Sequence, residues 1–258
     1  MEFRELTSSI ITFWGSGCAE HILRRKEYTT YIRQRNHWIN SNLSQGLSGV
    51  FGIDWGRIIA FALEMPIEIA PLPILGENLS IIVCYWISPP IATPNHKKLL
   101  WEQVIERAKL RGFRGISFLC PMNTDLQLFE SFGFSVVAES DCMSQKSLLL
   151  FLNLDAGKPP ALKQPAPIKP PHKRPYAIDI FYPQFCPIGT LLLNRVLMQI
   201  TRVASLVELR VHDTTTRKIV LKLGRTFGCL LNGTDIASKI LGGISLKEIL
   251  AQMERANH

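Results

Sequence analysis

The sequence predicts two α/β (α+β) units joined by an extended, proline-rich connection, and three observations carry that prediction. The stretch from Leu79 to Phe118 reads as an apolar strand, a loop, an amphipathic helix and a second apolar strand. Seven prolines then lie between Pro159 and Pro175, too many for a helix or a central strand. Beyond them a second, shorter alternation of apolar runs and helical patterns begins. The boundaries that follow are 1–156 for the first unit, 157–175 for the connection and 176–258 for the second.

Within the organising stretch, Leu79 to Ser88 is rich in β-branched and aromatic residues, the composition of a buried strand. Pro89 and Pro90 end it because neither can donate to a ladder. After Ile91–Pro94 a helix is predicted from Asn95 to Arg111, with Leu99, Leu100, Val104, Ile105 and Ala108 on one face. Lys97, Lys98, Glu102, Glu106 and Lys109 fall mostly on the other. Gly112 stops the helix and Gly115–Leu119 opens the next strand. A strand that feeds a helix N-terminus can receive phosphate on free backbone N–H groups.

Upstream, Ser9–Trp14 reads as a short strand or helix entry, broken by Gly15-Ser16-Gly17. Ala19–Asn40 is a helical region with Ile22, Tyr28, Tyr31, Ile32 and Trp38 as core residues. Gly46–Phe51 and Arg57–Met65 form a strand pair turned at Asp54-Trp55-Gly56, followed by a bent connection over Pro66–Pro71. Downstream come a short helix over Asp125–Phe132 capped by Thr124, then strands Ser135–Ala138 and Ser147–Leu152. The second unit reads as strand Ala177–Tyr182, helix Pro187–Val203, strand Leu206–Val211 and helix Thr214–Leu223. Strands Phe227–Leu231 and Asp235–Ile240 and a closing helix Ser245–Met253 complete it. That β-α-β-α-β-β-α order is the order of a small thioredoxin-like fold.

Composition excludes several function classes. Apolar residues make up 47% and charged residues 19% of the 258, the balance of a packed globular chain rather than a disordered one. No apolar run reaches the roughly 18 residues of a membrane span. Met1–Glu5 mixes acids with a base and no long apolar run follows, so no secretory signal is expected. Six cysteines without a CxxC or a finger spacing predict reduced thiols in a cytoplasm and no metal site. Of the net charge of +8, five positive charges (Lys158, Lys163, Lys169, Lys173 and Arg174) sit in the connection without an acid. The rest is nearly neutral, which disfavours a nucleic-acid-binding face. Arg24-Arg25-Lys26 with Arg33 and Arg35 reads as a solvated helix face.

The first unit resembles the GNAT acetyltransferase superfamily, and the whole chain resembles those members that carry a YoaP-like C-terminal domain. Gly56–Phe61, Pro66–Ala70 and Cys84–Ile87 carry the resemblance on the third and fourth strands. Glu106–Lys109, Arg111–Gly115 and Phe129–Phe134 carry it on the helices. Phe185-Cys186-Pro187 and Asn232-Gly233 match the second domain. The resemblance implies a GNAT-like mixed central sheet with flanking helices. It also implies transfer of an acetyl group from acetyl-CoA to a small-molecule or peptide amine, with pantetheine between splayed strands four and five. Trp86, Ile87, Ser88, Asn95, His96, Lys97, Lys98 and Asn123 fall where the cofactor is held. The family's pyrophosphate motif, Q/R-x-x-G-x-G/A, falls on Ala92, Asn95 and Lys97, so both glycines are replaced and Lys97 and Lys98 supply charge instead.

Glu68 and Glu64 are the carboxylates whose position suits a general base, and Cys84 is placed to face the acetyl group. Phe129 stands where many members have a tyrosine acid. Cys186, ahead of Pro187 at a helix start, is an alternative thiol site, with Gly189 in place of a resolving cysteine. Two alternatives to the acetyltransferase follow from these departures: a degenerate GNAT scaffold that binds a partner or ligand, and a thiol-dependent activity centred on Cys186.

Overall fold

The computed structural model describes residues 1–13, 28–88, 93–142 and 146–256. The sequence readings at Trp14–Gly17, Ile22, Arg24–Lys26 and Pro89–Ala92 lie outside the described residues. The first part contains β1 (Glu2–Glu5), α1 (Ser8–Phe13), α2 (Tyr28–Leu43), β2 (Ser48–Asp54), β3 (Arg57–Pro66) and β4 (Ile74–Leu75). It continues with β5 (Leu79–Ile87), α3 (Pro94–Leu110), β6 (Gly115–Pro121), α4 (Leu126–Ser131), β7 (Ser135–Ser140) and β8 (Ser147–Asn153). Seven of these strands form one mixed sheet in the order β1-β2-β3-β5-β6-β8-β7, in which only β5 and β6 run parallel.

Local chemistry explains most of this. Trp55 and Gly56 both have positive φ (49° and 71°), the geometry of a two-residue turn that matches strand twist, and they close the β2–β3 hairpin. In α3, Thr93 caps the start, Pro94 occupies the first turn and Gly112 (φ 74°) follows the end. The helix buries Leu100, Trp101, Val104 and Ala108 on the sheet. Trp101, absent from the predicted core face, is its centre. Its ring lies 4.9 to 5.5 Å from those of Tyr85, Phe118, Phe129 and Phe134, and it is wholly buried. Thr124 is not the cap of α4: Asp125 is, without a side-chain cap bond, and Thr124 N–H donates to Pro121 O instead.

The register of β5 has one irregularity. Leu63 pairs with Cys84 but Glu64 pairs with Ile82, so Val83 is an extra, bulged residue. The parallel ladder to β6 ends at Ile82↔Phe118, immediately before that bulge. A bulge bends its strand and raises the local twist. Beyond it β5 still pairs with β3, and β6 still pairs with β8, but β5 and β6 part.

The second sheet is built from β10 (Tyr176–Tyr182), β11 (Val207–Asp213), β12 (Gly228–Leu231) and β13 (Thr234–Asp235), in the order β11-β10-β12-β13. Helices α5 (Pro187–Ile200), α6 (Arg217–Leu223), α7 (Ala237–Leu241) and α8 (Leu246–Ala256) surround it. The strand expected over Asp235–Ile240 is wrong. Asp235 Oδ1 accepts from Ala237 N–H and turns the chain into α7, so the apolar run is helical.

The connection is extended but is no free spacer. Its residues Ala161–Leu162 form β9 and pair with β4. Lys163 N–H donates to Pro73 O at 2.8 Å, and Ala166 N–H to Leu223 O at 2.9 Å. His172 and Lys173 N–H groups both reach the Glu208 carboxylate. N–H groups that the prolines leave thus strap the segment to both units. Direct contacts add to this. Trp38 stacks on Phe185 at 4.2 Å, and Asn194 Nδ2 donates to Tyr31 Oη at 2.7 Å. Arg217 donates to Ala70 O and Ile74 O, and Thr226 N–H to Cys142 O.

Candidate functional site

The parting of β5 and β6 opens a cleft of about 1080 Å³. One wall is β5 from Ile82 to Ile87, and Phe118, Leu119 and Pro121 of β6 lie opposite. Side chains alternate across the sheet. Cys84 and Trp86 therefore face the core that α2 and Phe185 share, while Tyr85 and Ile87 face α3. Asn123, Thr124 and Asp125, leading into α4, and Phe129 within it close one end. Lys97, from the second turn of α3, reaches the rim. The second unit closes the other side with Phe185 and Cys186 from the loop after β10, Pro187 and Ile188 at the start of α5, and Phe227 just before β12.

The structure thus brings Cys84, Trp86, Ile87, Lys97, Asn123 and Cys186 to one cavity. It leaves the other sequence candidates outside. Ser88 is buried and its N–H donates to Ile59 O, extending the β3 pairing. Asn95 and Lys98 are exposed on α3, with Lys98 Nζ 4.0 Å from Glu102. His96 is a capping residue. Its Nδ1 accepts from Thr93 N–H at 3.2 Å while its own N–H donates to Thr93 Oγ1 at 3.3 Å. With Pro94 lacking an N–H, the start of α3 satisfies its donors internally and offers an anion chiefly the Asn95 N–H.

Neither candidate base reaches the cleft. Glu68 is exposed and accepts from Asn78 N–H at 2.8 Å, just before the start of β5. Cys84 lies six residues beyond Asn78 along the strand, on the order of 20 Å at ~3.3 Å per residue. Glu64 is 2% exposed and already committed. Ser48 Oγ (2.7 Å), Ser80 Oγ (2.6 Å) and Arg111 Nη1 (3.1 Å) donate to its carboxylate, and Arg107 Nε lies 3.8 Å away. It is a buried ionic joint between β2, β3, β5 and α3.

Sequence reasoning missed four residues of the site. Arg35, expected on a solvated helix face, is 3% exposed and brings a guanidinium to the cleft wall from α2. Asp125 brings a carboxylate to the cleft. Tyr85 brings a phenol that burial pushes up to about 12, against a weak opposing pull from the Trp101 indole, whose Nε1 makes no hydrogen bond of normal length. Trp38 supplies the ring against which Phe185 stacks. An aromatic ahead of Cys186 and a tryptophan late in α2 were the available signals, but nothing local joins them. The buried thiols Cys120, Cys142 and Cys229 are all pushed up by desolvation. Among the described residues no His, Cys, Asp and Glu group could hold a metal, and no helix is long and apolar enough to cross a membrane.

No protein-family model matches the chain. It is similar to the uncharacterized N-acetyltransferase YoaP of Bacillus subtilis, at 27% identity over 177 residues, which are 67% of this chain and 68% of that one. Among solved structures it is similar to a GNAT superfamily phosphinothricin acetyltransferase from Sinorhizobium meliloti in complex with acetyl-CoA. That match has 15% identity, 60% of this chain and 89% of that one, and a TM-score of 0.47. A ribosomal-protein-alanine N-acetyltransferase from Brucella melitensis matches at 14% identity, 60% of this chain and all of that one, with a TM-score of 0.46. By sequence, then, the chain is related over two thirds of its length to a protein named as an N-acetyltransferase.

Proposed function

We propose that this chain is an acetyl-CoA-dependent N-acetyltransferase of GNAT type, with the cofactor's pantetheine arm lying between β5 and β6. The observation that carries the reading is the end of the β5–β6 ladder at Ile82↔Phe118, beside the Val83 bulge. Parted strands leave ladder groups available to an extended amide-bearing chain, which can bond to both edges as a strand would. The named relative supports the class of reaction, and the apolar cleft supports a buried thioester.

In this reading Lys97 meets the pyrophosphate as a cation, in place of the helix amides that Thr93 and His96 occupy. The amine loses its proton through water to Asp125, then attacks the thioester carbonyl carbon. The N–C bond would form, the C–S bond would break with its electron pair going to the CoA sulfur, and the second proton shed by the nitrogen would end on that sulfur. Tyr85 keeps its proton throughout the working pH range and serves as a hydrogen-bond donor in the cleft. Cys84 lies beside the acetyl group as part of the wall. Glu68 has no part in the chemistry.

Phe129 favours a second reading, a scaffold that binds acetyl-CoA or a related ligand without transfer, because its ring has no proton to give. Calorimetry with acetyl-CoA, beside a Lys97→Glu/Lys98→Glu variant, tests both. Micromolar binding that the variant loses supports the cofactor site, and CoA release with an amine then separates enzyme from scaffold. No binding at millimolar acetyl-CoA refutes the acetyltransferase and any acetyl-CoA scaffold, and moves attention to other ligands and to Cys186.

A further inference from the structure

The second unit forms a wall of the cleft, fixed there by packing and hydrogen bonds. Phe185 is 9% exposed and stacked on Trp38, and Cys186 packs on the same core as Cys84 and Trp86. Ile188 packs against Tyr31 and Leu191, and Arg217 and Thr226 bond back to main-chain oxygens of the first unit. At about 1080 Å³ the cavity exceeds the roughly 300–1000 Å³ of a single-ligand pocket, so it has room for a donor and an acceptor together. If the pantetheine arm fills the gap between β5 and β6, the space left is the half faced by Phe185, Pro187, Ile188, Phe227 and Leu241. That half is mainly aromatic and aliphatic, with Cys186, Thr226 and Ser238 among its lining. The Arg35 guanidinium of α2 adds a cation to the cleft that would repel a polycation. The carboxylate that the described residues bring to the cleft, Asp125, is at its other end, beside α4.

We infer that the second unit, through the loop after β10, the start of α5 and Phe227, is the acceptor-binding half of the cleft, and that the acceptor is a primary amine on an apolar, ring-sized body rather than a polycation. The inference rests on the acetyltransferase reading. An apolar wall holds such a body by burying its surface, whereas a polyamine would lose hydration at each charge with no carboxylate facing it. The amine end then points from the second unit's wall toward Cys84 and Asp125, where the acetyl group lies in the reading above. Both walls must be present for turnover, which gives the fused second unit a role in the reaction.

The test uses the full chain at saturating acetyl-CoA, with phenethylamine and spermine as probe acceptors and CoA release as the readout. Phenethylamine should exceed spermine in kcat/KM by about tenfold or more, the scale set by apolar pocket contacts. Ile188→Ala and Phe227→Ala, each checked for a native melting transition, should raise the phenethylamine KM by roughly three- to tenfold. The acetyl-CoA Kd by calorimetry should stay unchanged in both. Preference for spermine, an unchanged KM in both variants, or no acetylation of either amine by protein that binds acetyl-CoA overturns the inference. Failure to bind acetyl-CoA instead overturns the reading beneath it.

Discussion

Glu64 is where a structural and a catalytic reading of the same residue part most clearly. Replacing it with alanine removes the acceptor for Ser48 and Ser80 and the counter-charge for Arg111, and leaves Arg107 paired with Glu5 alone. Breaking a buried ion pair from one side costs about 3–5 kcal/mol, because the remaining charge stays desolvated. The Arg111 side chain is 27% exposed and recovers some hydration, so the lower end, about 3 kcal/mol, is expected. For a chain of this size that is a fall in Tm of about 6–12 °C, at ~2–4 °C per kcal/mol. Glu64→Gln keeps an acceptor and the side-chain volume and loses the charge, so it should cost less, about 1–3 kcal/mol. Thermal denaturation measures both, and acetyl transfer per folded molecule should be unchanged in Glu64→Gln. A Glu64→Gln protein that melts like the parent but fails to transfer acetyl would refute the structural assignment and restore the residue as a base.

Lys97→Glu should weaken acetyl-CoA by about 10- to 150-fold, the loss of one charge-assisted contact, while Lys98→Glu changes little because that side chain is exposed beside Glu102; titration calorimetry separates them. Alkylation of the native protein followed by peptide mass mapping should mark Cys84 and Cys186 before Cys120, Cys142 and Cys229, whose thiols burial pushes up, and acetyl-CoA should slow the reaction at Cys84. The Tyr85 phenol is raised in the folded state from 10.0 to about 12, so the folded form holds that proton more tightly. Its contribution is intact below pH 10 and is lost as pH rises from 10 to 12. Tyr85→Phe should remove about 2–3 kcal/mol of alkaline destabilisation in denaturant melts across that window. Phe185→Ala deletes a stacked ring at the seam and should cost about 3–5 kcal/mol there; scanning calorimetry should then resolve two transitions where the parent has one.

The local grammar of this chain was largely legible. The β5–α3–β6 stretch follows from a β-branched run, a helical stripe and Gly112, and the β2–β3 hairpin follows from its Trp55-Gly56 turn. Other features were not local. β1 is four residues, Glu2–Glu5, three of them charged, with no apolar pattern, and it is a strand only because β2 offers an edge. The run Asp235–Ile240 is apolar enough for either element, and the Asp235 carboxylate decides for a helix start. Prolines signalled an extended connection but not that its remaining N–H groups bind both sheets. Glu64 could have been suspected of burial, since it sits in the apolar run of β3 and two arginines one helical turn apart, Arg107 and Arg111, could answer it. The cleft itself depends on Trp38 meeting Phe185 and on a single bulged residue, Val83, and neither leaves a mark in a linear pattern.

Amide hydrogen exchange with and without acetyl-CoA tests the cofactor reading most directly. Binding between the parted strands predicts slowed exchange over Val83–Ile87 and Leu119–Cys120, with little change in the paired half of the same strands, Leu79–Ile82 and Gly115–Phe118. Binding without protection at those residues, or protection confined to the second sheet, would contradict a cofactor site built on the parting of β5 and β6.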